Sequence, residues 1–164
     1  MSVILGIDPG LNTTGYGVVE CVTESPGGKI RLLEAGVVRS RLETLPQRVK
    51  EIFDGIAEII TMFHPTAVAM EQLYSHYDRP QTAILMGHAR GAICLAAAQA
   101  NLEIHSYAAT KVKKMLTGSG HAAKDQMQRA IQRELRLDRV PEPPDVADAL
   151  AIALCHHYHG QVGK

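Results

Sequence analysis

A length of 164 residues, with 46% hydrophobic, 21% charged and 4% aromatic residues, is typical of a folded globular protein and argues against intrinsic disorder. The chain has 17 basic residues (lysine plus arginine) and 17 acidic residues (aspartate plus glutamate). The zero net charge argues mildly against a nucleic-acid partner, so the distribution of charge along the chain must decide whether such a partner is expected. The length suits one domain that needs no disulfide or structural metal. We predict a single domain over residues 1–160 and a short tail over 161–164.

The compartment is predicted from the first residues, the apolar runs and the cysteines. The segment Met1–Gly6 lacks a basic region and leads into an acidic turn, unlike a secretory signal. The longest weakly polar runs, 92–98 and 146–155, are too short or too interrupted by aspartate to span a bilayer. We therefore expect a cytoplasmic protein with no membrane partner. The cysteines stand far apart in apolar surroundings, which predicts buried thiols in a reducing compartment: Cys21, Cys94 and Cys155.

The first part of the chain predicts three strands. Val3–Ile7 is an apolar run that ends at Asp8-Pro9-Gly10, which is the pattern of a buried strand that enters a tight turn. Thr14–Val22 and Ile30–Val38 are rich in β-branched and apolar residues, and Ser-Pro-Gly-Gly at 25–28 separates them as a hairpin connection does. We expect these three strands to be antiparallel.

The rest of the chain predicts helices and two further strands. Apolar residues from Leu45 to Phe63 recur at spacings of three and four, which places them on one face of a helix. A short strand follows at 66–70, with Glu71 at its end. The next helix carries Gly87 and Gly91 on one face, where another backbone has room to approach closely. That helix is predicted at 83–100, and a fifth strand follows at 102–107. Three further helices are predicted at 108–116, 123–135 and 145–159.

This order of elements predicts an α/β protein with a ribonuclease-H-like fold. The expected sheet is mixed and has five strands, of which three are antiparallel and the following two are parallel, with helices on both faces. In that topology the first and fourth strands are neighbours, and the last helix packs beside them. Side chains from distant parts of the chain are therefore expected to converge at one place.

Four carboxylates stand where this topology brings side chains together. Asp8 and Glu71 end the first and fourth strands, and the other two, Asp145 and Asp148, are three residues apart on one side of the last helix. Each has an ordinary alternative explanation, because Asp8 forms turns, a strand-end glutamate points into water, and acids suit a helix N-terminus. Crowded carboxylates repel one another unless a cation neutralises them. All-oxygen ligands favour Mg²⁺, with Mn²⁺ as a substitute, and two ions about 4 Å apart catalyse in-line hydrolysis of a phosphodiester.

The basic residues are concentrated in one segment, between Lys111 and Arg133, in which Asp125 is the one acid. We interpret this segment as a candidate surface for DNA phosphates. The alternative is an ordinary solvated helix face. The basic residues of the segment are Lys111, Lys113, Lys114, Lys124, Arg129 and Arg133.

Short motifs in a fixed order carry a resemblance that covers nearly the whole chain, from Val3 to about His159. In chain order they are Gly6-Ile7-Asp8-Pro9-Gly10, Thr14-Gly15-Tyr16-Gly17, Glu71-Gln72, Gly87-His88-Ala89-Arg90-Gly91, Tyr107-Ala108-Ala109 with Val112-Lys113, Gly118-Ser119-Gly120 with Ala123-Lys124 and Gln126, and Asp145-Val146-Ala147-Asp148-Ala149-Leu150-Ala151. Each motif is modest alone. Together they resemble the RuvC-type Holliday-junction resolvases.

The resemblance implies a homodimer that binds a four-way DNA junction and nicks two strands of like polarity symmetrically, in recombination and DNA repair. It implies that the four carboxylates are catalytic metal ligands. It also implies a partner that drives branch migration, of the RuvA and RuvB type, and a nucleoid-associated location in the cytoplasm. Lys113 and Lys124 match basic residues near the scissile phosphate, where an ammonium group offsets charge that develops in the transition state.

Two further positions are assigned through the resemblance. Arg90 either pairs with phosphate or supports the fold. Tyr74 matches an aromatic residue that stacks on an unpaired base at the junction centre, although a partly buried loop tyrosine is an equal alternative. Here it is tyrosine in place of the expected phenylalanine. The following loop, 75–80, departs from the Lys-Asn-containing stretch of the family, so the details of junction contact do not carry over.

Three alternatives remain at this stage. The Cys155-His156-His157-His159 run is similar to a zinc site, but we interpret it as a solvated tail, since adjacent helical residues point in different directions. The Asp8-Pro9-Gly10 turn with Thr13-Thr14-Gly15 is similar to the first phosphate turn of actin-like ATPases, which need two such domains. A catalytically silent nucleic-acid-binding relative is the third alternative, and the complete set of four acids argues against it.

Overall fold

Strands and helices alternate along the described ranges of the computed structural model, which are residues 1–22, 29–73 and 80–162. The strands are β1 (Ser2–Asp8), β2 (Thr13–Val22), β3 (Lys29–Arg39), β4 (Ala67–Glu71) and β5 (Ile104–Tyr107). The helices are α1 (Leu45–Phe63), α2 (Pro80–Gln99), α3 (Ala109–Thr117), α4 (Lys124–Leu135) and α5 (Pro144–Val162).

The strands form one mixed sheet in the order β3-β2-β1-β4-β5. The pairs β1 with β2 and β2 with β3 are antiparallel, whereas β1 with β4 and β4 with β5 are parallel. The predicted fold class and strand arrangement are therefore confirmed. Because β1 and β4 run in the same direction, with Ile7 opposite Met70, their carboxyl ends lie side by side and place Asp8 near Glu71.

Side chains that alternate along the central strands fill two separate cores, one on each face of the sheet. Ile4 and Ala69 belong to the core that α3, α4 and α5 cover. Leu5, Ile7 and Met70 belong to the core that α1 and α2 cover. A strand that is covered on both faces has few polar positions, which explains the continuous apolar run in β1. Helices on both faces were predicted, and the two cores confirm it.

Glycines on β1 and β2 let α5 lie directly against the sheet. A Cβ atom at Gly6 would overlap the carbonyl oxygen of Ala149, and one at Gly15 would overlap the carbonyl oxygen of Asp145. The helix is apolar on nearly all sides, and Val146, Ala147 and every residue from Ala149 to Cys155 are buried. The helix backbone, and with it the start of α5, is thus fixed relative to the end of β1.

Two expectations, one about Cys94 and one about the histidines near the chain end, are wrong. The thiol of Cys94 is exposed, because Cys94 lies on the side of α2 that faces away from the sheet. The helix α5 continues to Val162, and the short tail over 161–164 stays a prediction. The histidines before it pack against β5, as described below, and do not form a solvated tail. The single-domain organisation of residues 1–160 stays a prediction. Within the described ranges, no helix has both the length and the apolar character to cross a bilayer.

We predict that Gly15→Ala destabilises the protein by roughly 1–3 kcal/mol, because the added methyl group pushes α5 away from β2. The free energy of unfolding from urea titration measures the effect. Gly160→Ala is the matched control, since nothing lies within 4 Å of a Cβ at that helical position. The control is expected to be neutral or slightly stabilising. Equal stability of Gly15→Ala and the wild type would contradict the close packing.

Candidate metal centre and nucleic-acid interface

Three elements bring the four predicted acids together, and we call these acids the carboxylate cluster: Asp8, Glu71, Asp145 and Asp148. Asp8 is the last residue of β1, and Glu71 is the last residue of the parallel neighbour β4. Asp145 lies in the first turn of α5, and its backbone touches Gly15, which is the β2 partner of Asp8. The cluster is therefore built by two strand ends and one helix start.

The electrostatic surroundings of Asp8 show that the four acids act on one another. Burial and then the negative charges of Asp148, Glu71 and Asp145 raise the pKa of Asp8 from 3.8 to about 7. Every other member of the cluster therefore contributes to the shift. A carboxyl group with such a pKa is only partly ionised near neutral pH unless a cation is bound beside it.

Two other members of the cluster are affected in the same direction. Burial and the charge of Asp148 raise the pKa of Glu71, while Lys113 and Arg90 offset part of the rise. The Asp148 side chain is more open to solvent, yet partial burial still raises its pKa. Lys124 lowers that pKa again, Asp145 raises it, and Lys113 lowers it. Acids and lysines thus form one local charge system.

The donor set of the cluster fits a hydrated hard cation. Within residues 1–22, 29–73 and 80–162, no three His, Cys, Asp or Glu side chains lie close enough together to form a ready-made metal site. The acids therefore interact through space without sharing one coordination sphere. Magnesium keeps several waters and commonly binds one or two carboxylates together with substrate phosphates, so it does not require a complete set of protein ligands. Carboxylates without thiolates suit Mg²⁺ or Mn²⁺.

Hydrogen bonds that the sequence analysis missed fix the turn after Asp8. The fully buried Thr14 hydroxyl donates to the Gly10 carbonyl at 2.8 Å, and the Gly10 N–H donates to the Thr14 hydroxyl at 3.3 Å. The Ser40 hydroxyl also donates to the Leu11 carbonyl. The Thr-Gly pattern after β1 was the one sequence signal for the bonds between Thr14 and Gly10.

A second set of contacts braces the same turn from α1. The Arg48 guanidinium donates to the Asn12 side chain and, at 3.2 Å, to the hydroxyl of Ser40. Arg48 is only half-exposed, and its two partners come from two different segments of the chain. No sequence spacing relates these residues, so this contact could be recognised only from the folded structure.

Arg90 lies behind Glu71 and holds the end of β4. Its guanidinium donates to the Glu71 backbone carbonyl and, at 3.4 Å, to the Ser106 hydroxyl. The sequence left open whether Arg90 pairs with phosphate or supports the fold, and these contacts favour support. A contact between Arg90 and DNA stays a prediction.

The predicted lysines separate into two groups. Lys113 and Lys124 line a cavity of about 240 Å³ together with Glu71 and Asp148. A second cavity, of about 440 Å³, lies on the other side of Glu71 and reaches Asp8 and Arg90. Two of the predicted DNA-binding residues, Lys111 and Lys114, line neither cavity.

Lys111 contacts an aromatic ring and lines neither of the two cavities. The Lys111 ammonium stands 5.3 Å from the centre of the Tyr107 ring, in a cation–π arrangement. Lys114 is exposed. Tyr74 and most of the 75–80 loop lie outside the described residues, so the stacking role of Tyr74 stays a prediction.

The histidines near the chain end pack against β5. His156 Nδ1 lies 2.7 Å from the Tyr107 hydroxyl, and its ring centre lies 4.4 Å from that of His105. Burial, followed by the nearby histidines His105, His159 and His157, lowers the pKa of His156 to about 4, although Glu103 opposes this. His156 is therefore neutral at physiological pH and belongs to a packed contact. The helix continues through this run because its inner side chains still find partners.

Fold and site together define a class of protein. A sheet of order β3-β2-β1-β4-β5, with acids at the ends of β1 and β4 and on a helix packed against them, is a ribonuclease-H-like arrangement. The family model for the crossover junction endodeoxyribonuclease RuvC matches residues 4–156. The chain belongs to the RuvC family.

Individual relatives agree with this assignment over the length of the chain. A protein from Rhodopirellula baltica named crossover junction endodeoxyribonuclease RuvC is 56% identical over 158 residues, which cover 96% of this chain and 86% of the relative. The structure of RuvC from Thermus thermophilus has a TM-score of 0.90 and 37% identity, covering 98% of this chain and 96% of that one. T. thermophilus RuvC in complex with a Holliday junction substrate has a TM-score of 0.91 and 36% identity, covering 99% and 97%. The predicted resemblance is confirmed.

We predict that Asp8→Asn raises the melting temperature in EDTA above pH 7 by at least about 2 °C. The folded state binds the Asp8 proton more tightly than the unfolded state does. The stability gained from this tighter proton binding is therefore complete below pH 4, and it is lost as the pH rises to about 7. Asparagine does not ionise, so the difference between variant and wild type should grow over that interval.

Differential scanning calorimetry at several pH values measures this difference. Asp138→Asn is the matched control, because Asp138 is an exposed aspartate outside the cluster, and it should follow the wild type. Parallel curves for Asp8→Asn and the wild type between pH 4 and 8 would show that Asp8 carries no repulsion.

Proposed function

We propose that this protein is a structure-selective endonuclease that nicks four-way DNA junctions symmetrically, in recombination and DNA repair. The observation that carries the proposal is the carboxylate cluster, in which three acids raise the pKa of a fourth, in a chain of the RuvC family. A solved structure of a relative with 36% identity is a complex with a Holliday junction substrate. Membership in an endodeoxyribonuclease family disfavours the actin-like ATPase and the catalytically silent relative.

In this proposal, the carboxylate cluster holds two divalent cations, Mg²⁺ or Mn²⁺. When bound, they would polarise the scissile phosphate and supply an activated water. Asp8 and Glu71 stand on strand ends and Asp145 and Asp148 on a helix, so rigid elements set their spacing. The bonds around Thr14 hold the turn after Asp8, and Arg90 holds the strand end at Glu71.

The two lysines beside the cluster have a separate task. Lys113 and Lys124 contribute positive charge next to Glu71 and Asp148, as their effects on the pKa values of these acids show. A scissile phosphate that enters the 240 Å³ cavity would meet both ammonium groups. They offset the negative charge that develops on the phosphate during displacement. Lys111 and Lys114 then serve as contacts to more distant phosphates.

An apolar surface on α2 supports the homodimer. The buried face of α2 is formed by small residues and Ile93, but the opposite face is also apolar and is exposed. Ile84, Leu85 and Leu95 are exposed there by 62%, 45% and 53%. Gly87 and Gly91 are where a close backbone approach was predicted, and no other part of the described chain, the helix's own backbone aside, lies within 4 Å of a Cβ atom at either position. An apolar helix face of this kind is typical of an interface, and we assign it to a second copy of the chain.

Two further parts of the proposal rest on family membership alone. They are a branch-migration partner of the RuvA and RuvB type and a nucleoid-associated location in the cytoplasm. A second copy related by a twofold axis would give two carboxylate clusters, which matches two symmetric nicks. The description as one domain over residues 1–160 belongs to the same proposal.

We predict that Asp8→Asn, Glu71→Gln, Asp145→Asn and Asp148→Asn each reduce the single-turnover nicking rate by at least roughly a hundredfold. Junction binding should change little, because phosphate contacts differ from metal ligands. Synthetic four-way junctions, linear duplexes and single strands, each with and without magnesium, provide the assay. Asp54→Asn on α1 is the control. Cleavage that survives in excess EDTA would refute the metal mechanism.

We predict that Lys124→Ala slows nicking by about a hundredfold and weakens junction binding far less, because its charge acts mainly in the transition state. Lys50→Ala, an exposed lysine on α1, is the matched control and should keep the wild-type rate. An unchanged single-turnover rate for Lys124→Ala would remove this residue from the catalytic set.

We predict that Ile84→Glu weakens dimer formation by at least roughly tenfold, since it places a charge in the proposed apolar interface. Met62→Glu is the matched control, because Met62 on α1 has the same exposed fraction of 62%. Sedimentation equilibrium distinguishes the two variants. A monomeric wild type, or an Ile84→Glu variant that dimerises normally, would contradict the assignment of this face.

A further inference from the structure

The 240 Å³ cavity beside the carboxylate cluster has an apolar lining that the proposed chemistry does not use. One side carries Glu71, Asp148 and the two lysines, whereas the interior lies between α3, α4 and α5 and is apolar. The buried Val112, Ile131 and Ile152 form its walls with the half-buried Met127. Metal ions and phosphate oxygens gain nothing from such a surface, so the interior suits a different part of the substrate.

One polar side chain, Gln128, projects among these apolar walls. It lies on α4, one turn after Lys124, and it is half-buried. Within the described ranges, its side-chain amide has no hydrogen-bond partner. Its neighbour Gln126 is occupied differently, because its oxygen accepts the Ala123 N–H at 2.9 Å and caps α4. The Gln128 amide therefore keeps a donor and an acceptor for a ligand in the cavity that it lines.

We infer that this cavity receives one unstacked nucleobase of the cleaved strand and that Gln128 reads the edge of that base. The inference rests on the proposed function, since it places the scissile phosphate beside Lys113 and Lys124. A base is joined to that phosphate through a single sugar, so the neighbouring cavity is within its reach. Enzymes that take bases out of the stack hold them with apolar side chains and hydrogen bonds to the base edge, as this cavity offers.

Size and charge agree with this occupant. A volume of about 240 Å³ is smaller than the roughly 300–1,000 Å³ of pockets for drug-sized ligands, which favours a single ring system. Lys124 is exposed and Lys113 half-buried, whereas the apolar walls are buried and carry no charge, which matches a neutral base. A side-chain amide forms a paired donor and acceptor contact with a base that presents the complementary edge. Gln128 would then decide which base is accepted beside the cut.

The experiment uses the full-length protein and four-way junctions that are randomised at two nucleotides on each side of the cut. Sequencing of the products gives the preference at each position. The wild type should prefer one base at one position by roughly tenfold, as expected for a paired amide contact. Gln128→Leu should lose that preference while junction affinity stays within about twofold of the wild type. Gln99→Leu, on the exposed end of α2, should keep the wild-type preference.

A second measurement changes the DNA and leaves the protein intact. An abasic nucleotide at the preferred position should slow nicking by a similar factor, and 2-aminopurine there should become more fluorescent when the junction binds. A preference that survives Gln128→Leu, or an abasic junction cut at the full rate, would overturn the inference. A wild type that nicks no junction at all would instead overturn the proposed function, and the inference with it.

Discussion

The structure depends on close contact between α5 and the strands β1 and β2. Gly6 and Gly15 remove the side chains that would otherwise separate the helix from the sheet. This contact fixes Asp145 and Asp148 relative to Asp8, and the parallel pairing of β1 with β4 fixes Glu71. Packing that contributes to the stability of the fold therefore also forces four negative charges into one region, against their mutual repulsion.

The repulsion has consequences for both stability and chemistry. A pKa of about 7 for Asp8 means that the folded chain without a cation is under electrostatic strain at neutral pH. Lys113, Lys124 and Arg90 relieve only part of it, because they lower the pKa of Glu71 or of Asp148 and do not lower that of Asp8. A site that is destabilised until a divalent cation binds is coupled to that cation by linkage.

Much of the fold and the central acids could be predicted from the sequence, because local signals carry them. Apolar runs, turn residues and, for α1, apolar periodicity predicted the strands and helices to within a few residues, and the turn at Asp8-Pro9-Gly10 marked the end of β1. Glu71 was recognisable as a charge after a buried strand. The order of elements then placed these acids together, which needs only topology and no detailed contact.

The remaining features depend on contacts between segments that no spacing relates. The bonds from Arg48 to Asn12 and Ser40 join three segments, and the packing of His156 on Tyr107 joins α5 to β5. The exposure of one apolar face of α2 could not be predicted, because composition alone does not show which of two apolar faces packs against the sheet. Cys94 was predicted to be buried for the same reason. Gln128 gave no signal, since its importance lies in the cavity around it.

The most direct test of this account is a crystal structure of the protein soaked with Mn²⁺, with anomalous difference density measured at the manganese edge. We expect anomalous difference density from Mn²⁺ between the carboxylates of Asp8 and Asp148, within coordinating distance of Asp8. Density confined to other surfaces, or a cluster whose side chains turn away from one another, would contradict it.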